Sequence, residues 1–480
     1  MTGALLLAPT LTVLGLLGLA VFAAVVVHPP LAPYLLIGST PLIVGIDRAS
    51  LVPLLRPNEA VLLLLGGALM TRGLISSWSG AHSHRRLTRV DGALLGLIVT
   101  SCLLPLVWLA IRGKAVTSDD FLYSLTLVKY YAVFLIVRAG IRTDQHVRRC
   151  LWVSMGVAAI VAIIAVLQSL KLFGVPALLA NTYAQFGSNT GLDINRGTST
   201  LANAVATGDV MAFNLAIALA WLARGGRPRR LLQAASALFV FGGLASGEFS
   251  AVIALVAVVV TVGALTHTLT RKLLALIAMG AVASLALQPV IARRLSDRSS
   301  SSPLPNSWAD RLHNLQQYFW PKLFSHYNFV LGVRPSPRIA TPAFHTGYVW
   351  IESGHTWLLW SGGTPLFVAF VVFMWVALRT TVQVARTRAD ATAAAAMATF
   401  AALVVIAILM TFDPHLTLRG AADLLFSLLA VTFAGVTYRA GPDPGVPGSG
   451  DPEPVMAGAT AAQVPVGGPV AGSAARLRPG

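Results

Sequence analysis

Five side chains in this sequence are of the types needed to hold an anionic group and move a proton: Arg196, Arg311, Arg334, Glu352 and His355. A guanidinium presents planar, paired N–H donors that match the oxygens of a phosphate. An imidazole or a carboxylate can accept a proton from a hydroxyl at neutral pH. Together these groups suggest phosphate binding coupled to activation of a nucleophile, provided that the fold brings them to one place.

Arg196 comes directly before a long apolar run. Gly197 and the hydroxyls of Thr198, Ser199 and Thr200 follow it, and we expect this turn to let the backbone and hydroxyls approach an anion closely. The alternative is an arginine at the edge of a membrane whose side chain reaches to lipid headgroups.

Arg311 and Arg334 lie in a polar segment, residues 291–355, that separates two apolar parts of the chain. Its basic residues outnumber its acidic ones between 293 and 338: Arg293, Arg294, Arg298, Arg311, Lys322, Arg334 and Arg338 stand against Asp297 and Asp310. Taken alone, Arg311 could simply be an exposed arginine paired with Asp310. The excess of positive charge favours an anionic ligand.

His355 opens the next apolar run, with Trp357 and Trp360 close behind it and Glu352 three residues before it. If this stretch is helical, Glu352 and His355 share a face, and the carboxylate could orient the imidazole. The alternative is an interfacial histidine among the aromatic residues that line a membrane surface. Four other histidines lack such a setting and are interpreted as solvated or structural: His313, His326, His345 and His415.

The composition indicates the kind of protein that must hold these side chains in place. Of the 480 residues, 56% are hydrophobic and 11% are charged, and the mean hydropathy is +0.73. Soluble domains carry roughly 25% charged residues, so the sequence indicates an integral membrane protein. The net charge of +17 does not require nucleic acid, because cytoplasmic loops of membrane proteins collect lysine and arginine.

Runs of about twenty apolar residues fit a hydrocarbon layer about 30 Å thick. They predict an all-α polytopic membrane protein with about twelve transmembrane helices at 3–27, 31–46, 91–111, 119–138, 149–170, 201–223, 231–246, 249–267, 272–290, 356–378, 392–411 and 420–438. Segment 58–78 is ambiguous because its apolar run is short and Arg72 interrupts it. It could lie in the interface or re-enter the membrane.

Loop charges predict the orientation. Arginines recur in alternate loops, and with 58–78 not spanning, this places both termini in the cytoplasm of a bacterial inner membrane. The predicted divisions are residues 1–90, a membrane core at 91–290 with an outer loop at 171–200, an extracytoplasmic loop at 291–355, C-terminal helices at 356–439 and a disordered cytoplasmic tail at 440–480.

Residues 306–324 predict an amphipathic helix on the outer surface, covering the ends of the spans. Its apolar residues recur at steps of three or four: Trp308, Leu312, Leu315, Phe319 and Leu323. A basic outer surface beside a membrane favours a lipid-linked diphosphate as the anion. The outer loops contain no Asp-x-Asp pair or carboxylate cluster with metal-ligand spacing, so we predict neither a metal nor a cofactor, and arginines would stabilise the leaving diphosphate.

Three stretches resemble the O-antigen ligase and O-antigen polymerase family of membrane glycosyltransferases with a GT-C-like fold, which use polyprenyl-linked donors. They are Arg196-Gly-Thr-Ser-Thr-Leu-Ala-Asn203, Arg311 through Trp320 to Gly332-Val-Arg334, and Gly354-His355-Thr-Trp-Leu-Leu-Trp-Ser-Gly362-Gly363. Their order and the roughly twelve-span layout also match, over residues 90–435. The sequence departs from the family pattern at Thr356, at Ser246-Gly247-Glu248 and at Arg334-Pro335.

The resemblance implies that Arg196 and Arg311 bind the diphosphate of an undecaprenyl-linked glycan, and we predict that Arg334, in the second stretch, also binds it. It implies that His355 acts as base or positions an acceptor hydroxyl on a glycan, lipid or protein, and we predict that Glu352 assists His355. The expected reaction is metal-independent, inverting glycan transfer on the outer face of the membrane. Two alternatives stay open: a transporter or flippase of lipid-linked sugars, for which Lys129 and Asp209 within spans are the relevant residues, and a non-catalytic scaffold.

Overall fold

The computed structural model describes residues 9–47, 55–78, 87–183, 196–296, 306–342, 344 and 347–437. The predicted tail at 440–480 lies outside these residues, as do positions 184–195 of the predicted outer loop 171–200 and the residues Asp297, Arg298 and His345. Within them the chain is almost entirely helical, with one short hairpin of two antiparallel strands, β1 (Arg338–Ala340) and β2 (Tyr348–Trp350).

The first half of the described chain contains seven helices: α1 (Pro9–Val27), α2 (Leu31–Ile43), α3 (Pro57–Trp78), α4 (Arg89–Ile111), α5 (Ser118–Gly140), α6 (Asp144–Ser169) and α7 (Val175–Thr182). The second half contains α8 (Ala204–Ala223), α9 (Arg229–Ala245), α10 (Phe249–Leu265), α11 (Leu269–Ala286), α12 (Gln288–Ser296), α13 (306–324), α14 (Asn328–Leu331), α15 (Gly354–Thr387), α16 (Ala391–Leu409) and α17 (Ala421–Thr437).

Eight of the described helices are long and apolar enough to cross a membrane: α3, α4, α5, α6, α8, α11, α15 and α16. Four more are apolar but shorter, at Thr12–Val27, Leu31–Ile43, Phe249–Leu265 and Ala421–Ala434. The protein is therefore an all-α polytopic membrane protein, as the composition predicts. The number of spans stays a prediction, although each of the twelve predicted segments overlaps a helix within the described residues.

Helices α8, α16 and α17 form the centre of the bundle. Along α8 nearly every residue from Ala204 to Trp221 is buried, and alanine makes up much of α16, which allows close approach of neighbouring backbones. Side-chain hydrogen bonds link the helices inside the bundle. The hydroxyl oxygens of Thr399 and Thr432 lie 2.9 Å apart, and the hydroxyl of Ser154 donates to Oδ1 of Asn214 at 2.8 Å. The outermost helices, such as α11, expose large apolar side chains instead, which suits contact with lipid.

The two ends of the bundle differ in what they carry. At one end the arginine-rich loops meet: Arg224 donates to the carbonyl of Arg388 at 3.0 Å, and Asp144 accepts from the amide of Thr392 at 3.1 Å. At the other end lie α13, the hairpin and the turns before α8, α10 and α17; we call this the loop-rich end. The separation agrees with the predicted alternation of basic loops, while its orientation in a membrane stays a prediction.

Helix α3, the segment that was ambiguous in the sequence, is continuous over 22 residues. It starts near the loop-rich end, because Arg56, directly before it, lies 3.9 Å from Asp47, close to where the amide of Gly45 donates to the carbonyl of Thr200. Gly66 in α3 packs close to Ile136, toward the opposite end, where Arg138 pairs with Asp91. At 1.5 Å per residue its length is about 33 Å, enough to cross a bilayer. A spanning α3 would put the start of α1 and the end of α17 at opposite ends of the bundle. The prediction that both termini are cytoplasmic therefore depends on whether α3 spans.

Helix α15 is broken at Gly363, which has φ 65° and ψ −159°. The predicted single span at 356–378 therefore consists of two helical pieces, a short one that carries His355 and a long one that starts with Thr364 and Pro365. Proline is well suited to the first turn of a helix because its missing N–H is not needed there. The 24 residues from 364 to 387 extend about 36 Å, enough for a span.

Replacing Gly363 with alanine should destabilise the protein. A Cβ at this position would lie 2.4 Å from the carbonyl oxygen of Val330 and 2.6 Å from the amide nitrogen of Gly332. Holding a non-glycine residue in such a conformation costs about 1–3 kcal/mol before the clash is counted. Thermal unfolding in detergent should show a lowered midpoint, whereas Gly96→Ala, in a helix with open space around it, should unfold like the wild type.

Candidate functional site

Five charged side chains from separate parts of the sequence gather at the loop-rich end: Arg196, Glu248, Arg311, Glu352 and Asp413. Arg196 Nη1 lies 2.9 Å from Glu248 Oε1, and Arg311 Nη1 lies 2.6 Å from Asp413 Oδ2. The carboxylate of Glu352 is 3.9 Å from Arg311 Nε. We call this group the paired-arginine cluster. The structure thus brings together three of the five predicted site residues: Arg196, Arg311 and Glu352.

The turn that holds Arg196 is fixed by backbone contacts. The amide of Gly197 donates to Ala245 at 2.9 Å, and a Cβ on Gly197 would lie 2.9 Å from the carbonyl oxygen of Ala165. A glycine is therefore needed for the turn to lie against α6 and α9. Asn203 then caps α8 by accepting from the amide of Ala206 at 2.9 Å.

The hydroxyls after Arg196 do not face an anion site, and that part of the prediction is wrong. Thr198 accepts from Gln168 at 2.9 Å, Ser199 donates to the carbonyl of Val161 at 2.9 Å, and Thr200 donates to that of Pro41 at 2.7 Å. All three residues are buried. The hydroxyls satisfy buried backbone and amide groups, so they position Arg196 and leave its guanidinium as the group that reaches the surface.

Arg311 is positioned by α13, whose apolar residues face the ends of the bundle helices. Leu315, Phe319 and Leu323 are buried, and the Trp308 ring packs against that of Phe412 with the centroids 4.6 Å apart and the planes tilted by 33°. The predicted amphipathic helix therefore exists and covers helix ends. Leu312, also predicted on this face, is 41% exposed. A π-helical turn at Leu315–Phe319 changes the register, which explains the difference.

Glu352 and His355 are not on one helical face, because α15 begins at Gly354 with Ser353 as its N-cap. The Glu352 carboxylate points toward Arg311 instead. The His355 ring is partly buried and lies 6.2 Å from the ring of Phe367, and within the described residues it has no hydrogen-bond partner. The predicted orientation of His355 by Glu352 is therefore wrong.

His355 is nevertheless held close to the loop that carries Asp413. The amides of Gly354 and His355 both donate to the carbonyl of Met410, at 2.8 and 3.3 Å. Thr356, which stands where the family pattern has asparagine, accepts from the indole N–H of Trp320 at 3.3 Å. This contact ties the start of α15 to α13.

Electrostatic coupling joins the members of the cluster. Burial disfavours the charged guanidinium of Arg311, but Asp413, Glu352 and Glu248 outweigh it and raise its pKa. Burial raises the pKa of the Glu352 carboxyl above its ordinary value, Arg311 opposes this, and Asp413 adds to it. Because Glu248 acts on Arg311 and also pairs with Arg196, it links the two arginines. Glu248 lies at one of the departures from the family pattern.

Sequence reasoning missed a buried pair beside the cluster. His415 Nδ1 lies 2.7 Å from Asp209 Oδ2, and both side chains are almost fully buried. Burial lowers the pKa of His415, but Asp209 and Asp413 more than compensate and raise it overall. The amide of His415 also donates to the carbonyl of Asp413 at 2.7 Å, so the pair anchors the loop that presents Asp413 to Arg311. An aspartate within an apolar run, Asp209, was the feature of the sequence that could have indicated a buried pair. Its partner His415 lies 206 residues away, so the sequence did not identify it.

The structure does not place Arg334 in the cluster. Its guanidinium binds Asp120 through two contacts, at 2.9 and 2.5 Å, and the Asp120 side chain is fully buried. The turn that carries Arg334 is held by Gly332, which has φ 87°, and by the amide of Val333, which donates to Trp360 at 2.7 Å. The predicted role of Arg334 in the same diphosphate site is not supported by these contacts.

No group of three or more histidine, cysteine, aspartate or glutamate side chains among the described residues is arranged to hold a metal ion. Metal independence of any reaction stays a prediction. No protein-family model matches this chain, and no curated protein matches it.

Proposed function

We propose that this protein transfers a glycan from an undecaprenyl-diphosphate donor to an acceptor hydroxyl at the outer face of the cytoplasmic membrane. The observation that carries the proposal is the paired-arginine cluster. Two arginines separated by 115 positions are linked through one carboxylate, Glu248, at an end of a membrane-type bundle. Arg196 and Arg311 retain 33% and 21% of their side-chain exposure, so a ligand can reach both.

The chemistry needs a stabilised leaving group. In an inverting displacement the acceptor oxygen attacks the anomeric carbon, the bond from that carbon to the diphosphate breaks, and the diphosphate takes the electron pair. Arg196 and Arg311 would exchange their carboxylate partners for the diphosphate. Phosphate oxygens, like carboxylate oxygens, accept hydrogen bonds from the paired N–H groups of a guanidinium. Preorganised positive charge at the leaving group is commonly the largest contribution to such catalysis.

The acceptor must also lose a proton. We assign this to Glu352, because its carboxylate lies beside Arg311 and its raised pKa makes it a better base than an ordinary glutamate. His355, which the sequence interpretation favoured as base, lies three residues away in the first turn of α15. We assign it to positioning the acceptor, since its ring has no partner within the described residues that would fix it as a base.

The pH dependence tests the role of Glu352. A rate that needs the ionised carboxylate should fall as the pH decreases through a midpoint above 4.5, the ordinary value, because burial raises this pKa. Glu352→Gln should lower the rate by about 10²–10⁴-fold and remove that acidic limb from the residual activity. A Gln variant with the wild-type rate and profile would exclude the assignment. Asp47→Asn serves as the control, because Asp47 is an exposed carboxylate that is not among the groups acting on Glu352.

A transporter of lipid-linked sugars is the second candidate. It would use charged residues within the spans, and both of those flagged in the sequence are paired: Lys129 lies 3.5 Å from Asp423, and Asp209 binds His415. Paired charges of this kind can be structural or can lie along a transport route. These two pairs do not favour a transporter over a transferase. We prefer the transferase because of the paired-arginine cluster at the loop-rich end.

The test is release of undecaprenyl diphosphate by the purified protein in lipid, given a lipid-linked oligosaccharide and cell-envelope acceptors, with EDTA present. Wild type should release it, and Arg196→Ala and His355→Ala should do so far more slowly. The sizes of the glycan products would then distinguish a ligase from a polymerase. Movement of labelled donor across the bilayer without release would replace this proposal with the transporter, and neither activity would favour a scaffold.

A further inference from the structure

A second basic site lies at the loop-rich end, away from the paired-arginine cluster. A cavity of about 230 Å³ is lined by four cationic side chains: Lys114, Lys322, Arg334 and Arg338. Its remaining wall is largely apolar and includes Leu109 and the ring of Trp360. We call it the basic cavity. Since a water molecule takes about 30 Å³ in the liquid, it has room for a much larger polar group.

We propose that the basic cavity binds a phosphate group, and that a membrane lipid supplies it. Phosphate suits a concave site with several converging N–H donors and no lining carboxylate among the described residues. The inference does not depend on the proposed transferase activity, because it concerns binding alone.

The charges in the cavity are only partly compensated. Arg334 binds Asp120, and Arg338 binds Asp119. Lys114 and Lys322 have no carboxylate partner in the described part of the chain, and they are two of only five lysines in the protein. Partial loss of solvent around the largely exposed ammonium, together with the nearby Arg112 and Arg334, lowers the pKa of Lys114, as expected for a cation near other cations. An anion would relieve this repulsion.

The two arginines are held in place before any ligand arrives. Arg334 is fixed on buried Asp120, and the guanidinium of Arg338 lies over the Tyr348 ring, 4.3 Å from its centroid. Lysine carries its charge on a flexible stem, so Lys114 and Lys322, which come from separate parts of the sequence, can adjust their positions to a bound phosphate. The site therefore combines rigid and adjustable cations.

The location favours a lipid as the source. Lys114 lies in the turn between α4 and α5, just beyond the end of one candidate span and before the start of the next. Ile111 and Val116, on either side of it, are 70% and 46% exposed. Apolar side chains at this level suit contact with acyl chains, while the cations face the headgroup phosphate.

The contacts separate this site from the paired-arginine cluster. The carboxylates that act on Arg334 are Asp120 and Asp119, whereas those that act on Arg311 are Asp413, Glu352 and Glu248. The two arginines share no partner. A ligand in the basic cavity would consequently bind without displacing a residue of the proposed catalytic centre.

Calorimetric titration of the purified full chain in maltoside micelles tests the proposal, with dioctanoyl phosphatidate, dioctanoylglycerol and inorganic phosphate as probes. The variant is Lys114→Gln/Lys322→Gln. Both side chains are exposed, so neither change should unfold the protein, and Asp119 and Asp120 keep their arginines. The matched control is Lys171→Gln, another exposed lysine, on the predicted outer side.

Wild type and Lys171→Gln should bind phosphatidate at least about tenfold more tightly than dioctanoylglycerol, and the double variant should lose most of that preference. If inorganic phosphate competes with phosphatidate at equal affinity, the cavity is a phosphate site, but its ligand is a soluble anion and the assignment to a membrane lipid is wrong. Phosphatidate bound equally by wild type and the double variant, or no preference for phosphatidate in wild type, would overturn the proposal.

Discussion

Arg311→Ala should lower the rate of undecaprenyl diphosphate release by about 10²–10³-fold, the usual effect of removing one group that stabilises charge in a transition state. Arg311 is the centre of the paired-arginine cluster: it contacts Asp413 at 2.6 Å and lies 3.9 Å from Glu352. In the proposed reaction, losing it would remove one of the two guanidinium groups that bind the leaving diphosphate. The rate is measured at saturating donor, so that weaker donor binding alone does not account for the loss.

Arg311 could also matter only because it neutralises Asp413. The double variant Arg311→Ala/Asp413→Asn separates the two roles, since it removes the unpaired carboxylate as well. If Arg311 binds the diphosphate, the double variant stays as slow as Arg311→Ala. Recovery to near the wild-type rate would show that Arg311 is a structural partner and would contradict its catalytic role. Asp310→Asn, at the exposed position next to it, should leave the rate unchanged.

Asp209→Asn should destabilise the protein by about 3–5 kcal/mol, which is the cost of leaving one member of a buried ion pair without its partner. His415 is fully buried, Asp209 is 2.7 Å from it, and within the described residues the second ring nitrogen of His415 has no hydrogen-bond partner. The measurement is thermal unfolding of the purified protein at pH 7. We also expect slower glycan transfer, because the pair anchors the loop that carries Asp413.

A double replacement checks the physical reason. Asp209→Leu/His415→Leu leaves no buried charge unpaired, so its unfolding midpoint should lie above that of Asp209→Asn. Exposed Asp310→Asn should unfold like the wild type. An unchanged midpoint in Asp209→Asn would show that the pair contributes nothing, and the loop would then need another anchor.

Much of the fold could be predicted from sequence because a membrane imposes a local rule. Backbone polar groups in hydrocarbon must be satisfied within the segment, so apolar runs of sufficient length become helices. Each predicted span overlaps a helix among the described residues, and the spacing of Trp308, Phe319 and Leu323 predicted α13. The rule does not predict where a helix is interrupted. Gly363 interrupts α15, and only the structure shows that Val330 and Gly332 leave no room there for a Cβ.

The composition determined a helical membrane protein, and residue types identified Arg196, Arg311 and Glu352 as candidates for one site. Only the tertiary structure decided the partners. Glu248 reaches Arg196 across 52 residues, and Asp413 reaches Arg311 across 102. It also placed Arg334 in a separate cavity and turned Glu352 away from His355. Helical periodicity reports which residues share a face along a few turns, whereas charge pairing between distant segments depends on how whole helices pack, which no local pattern encodes.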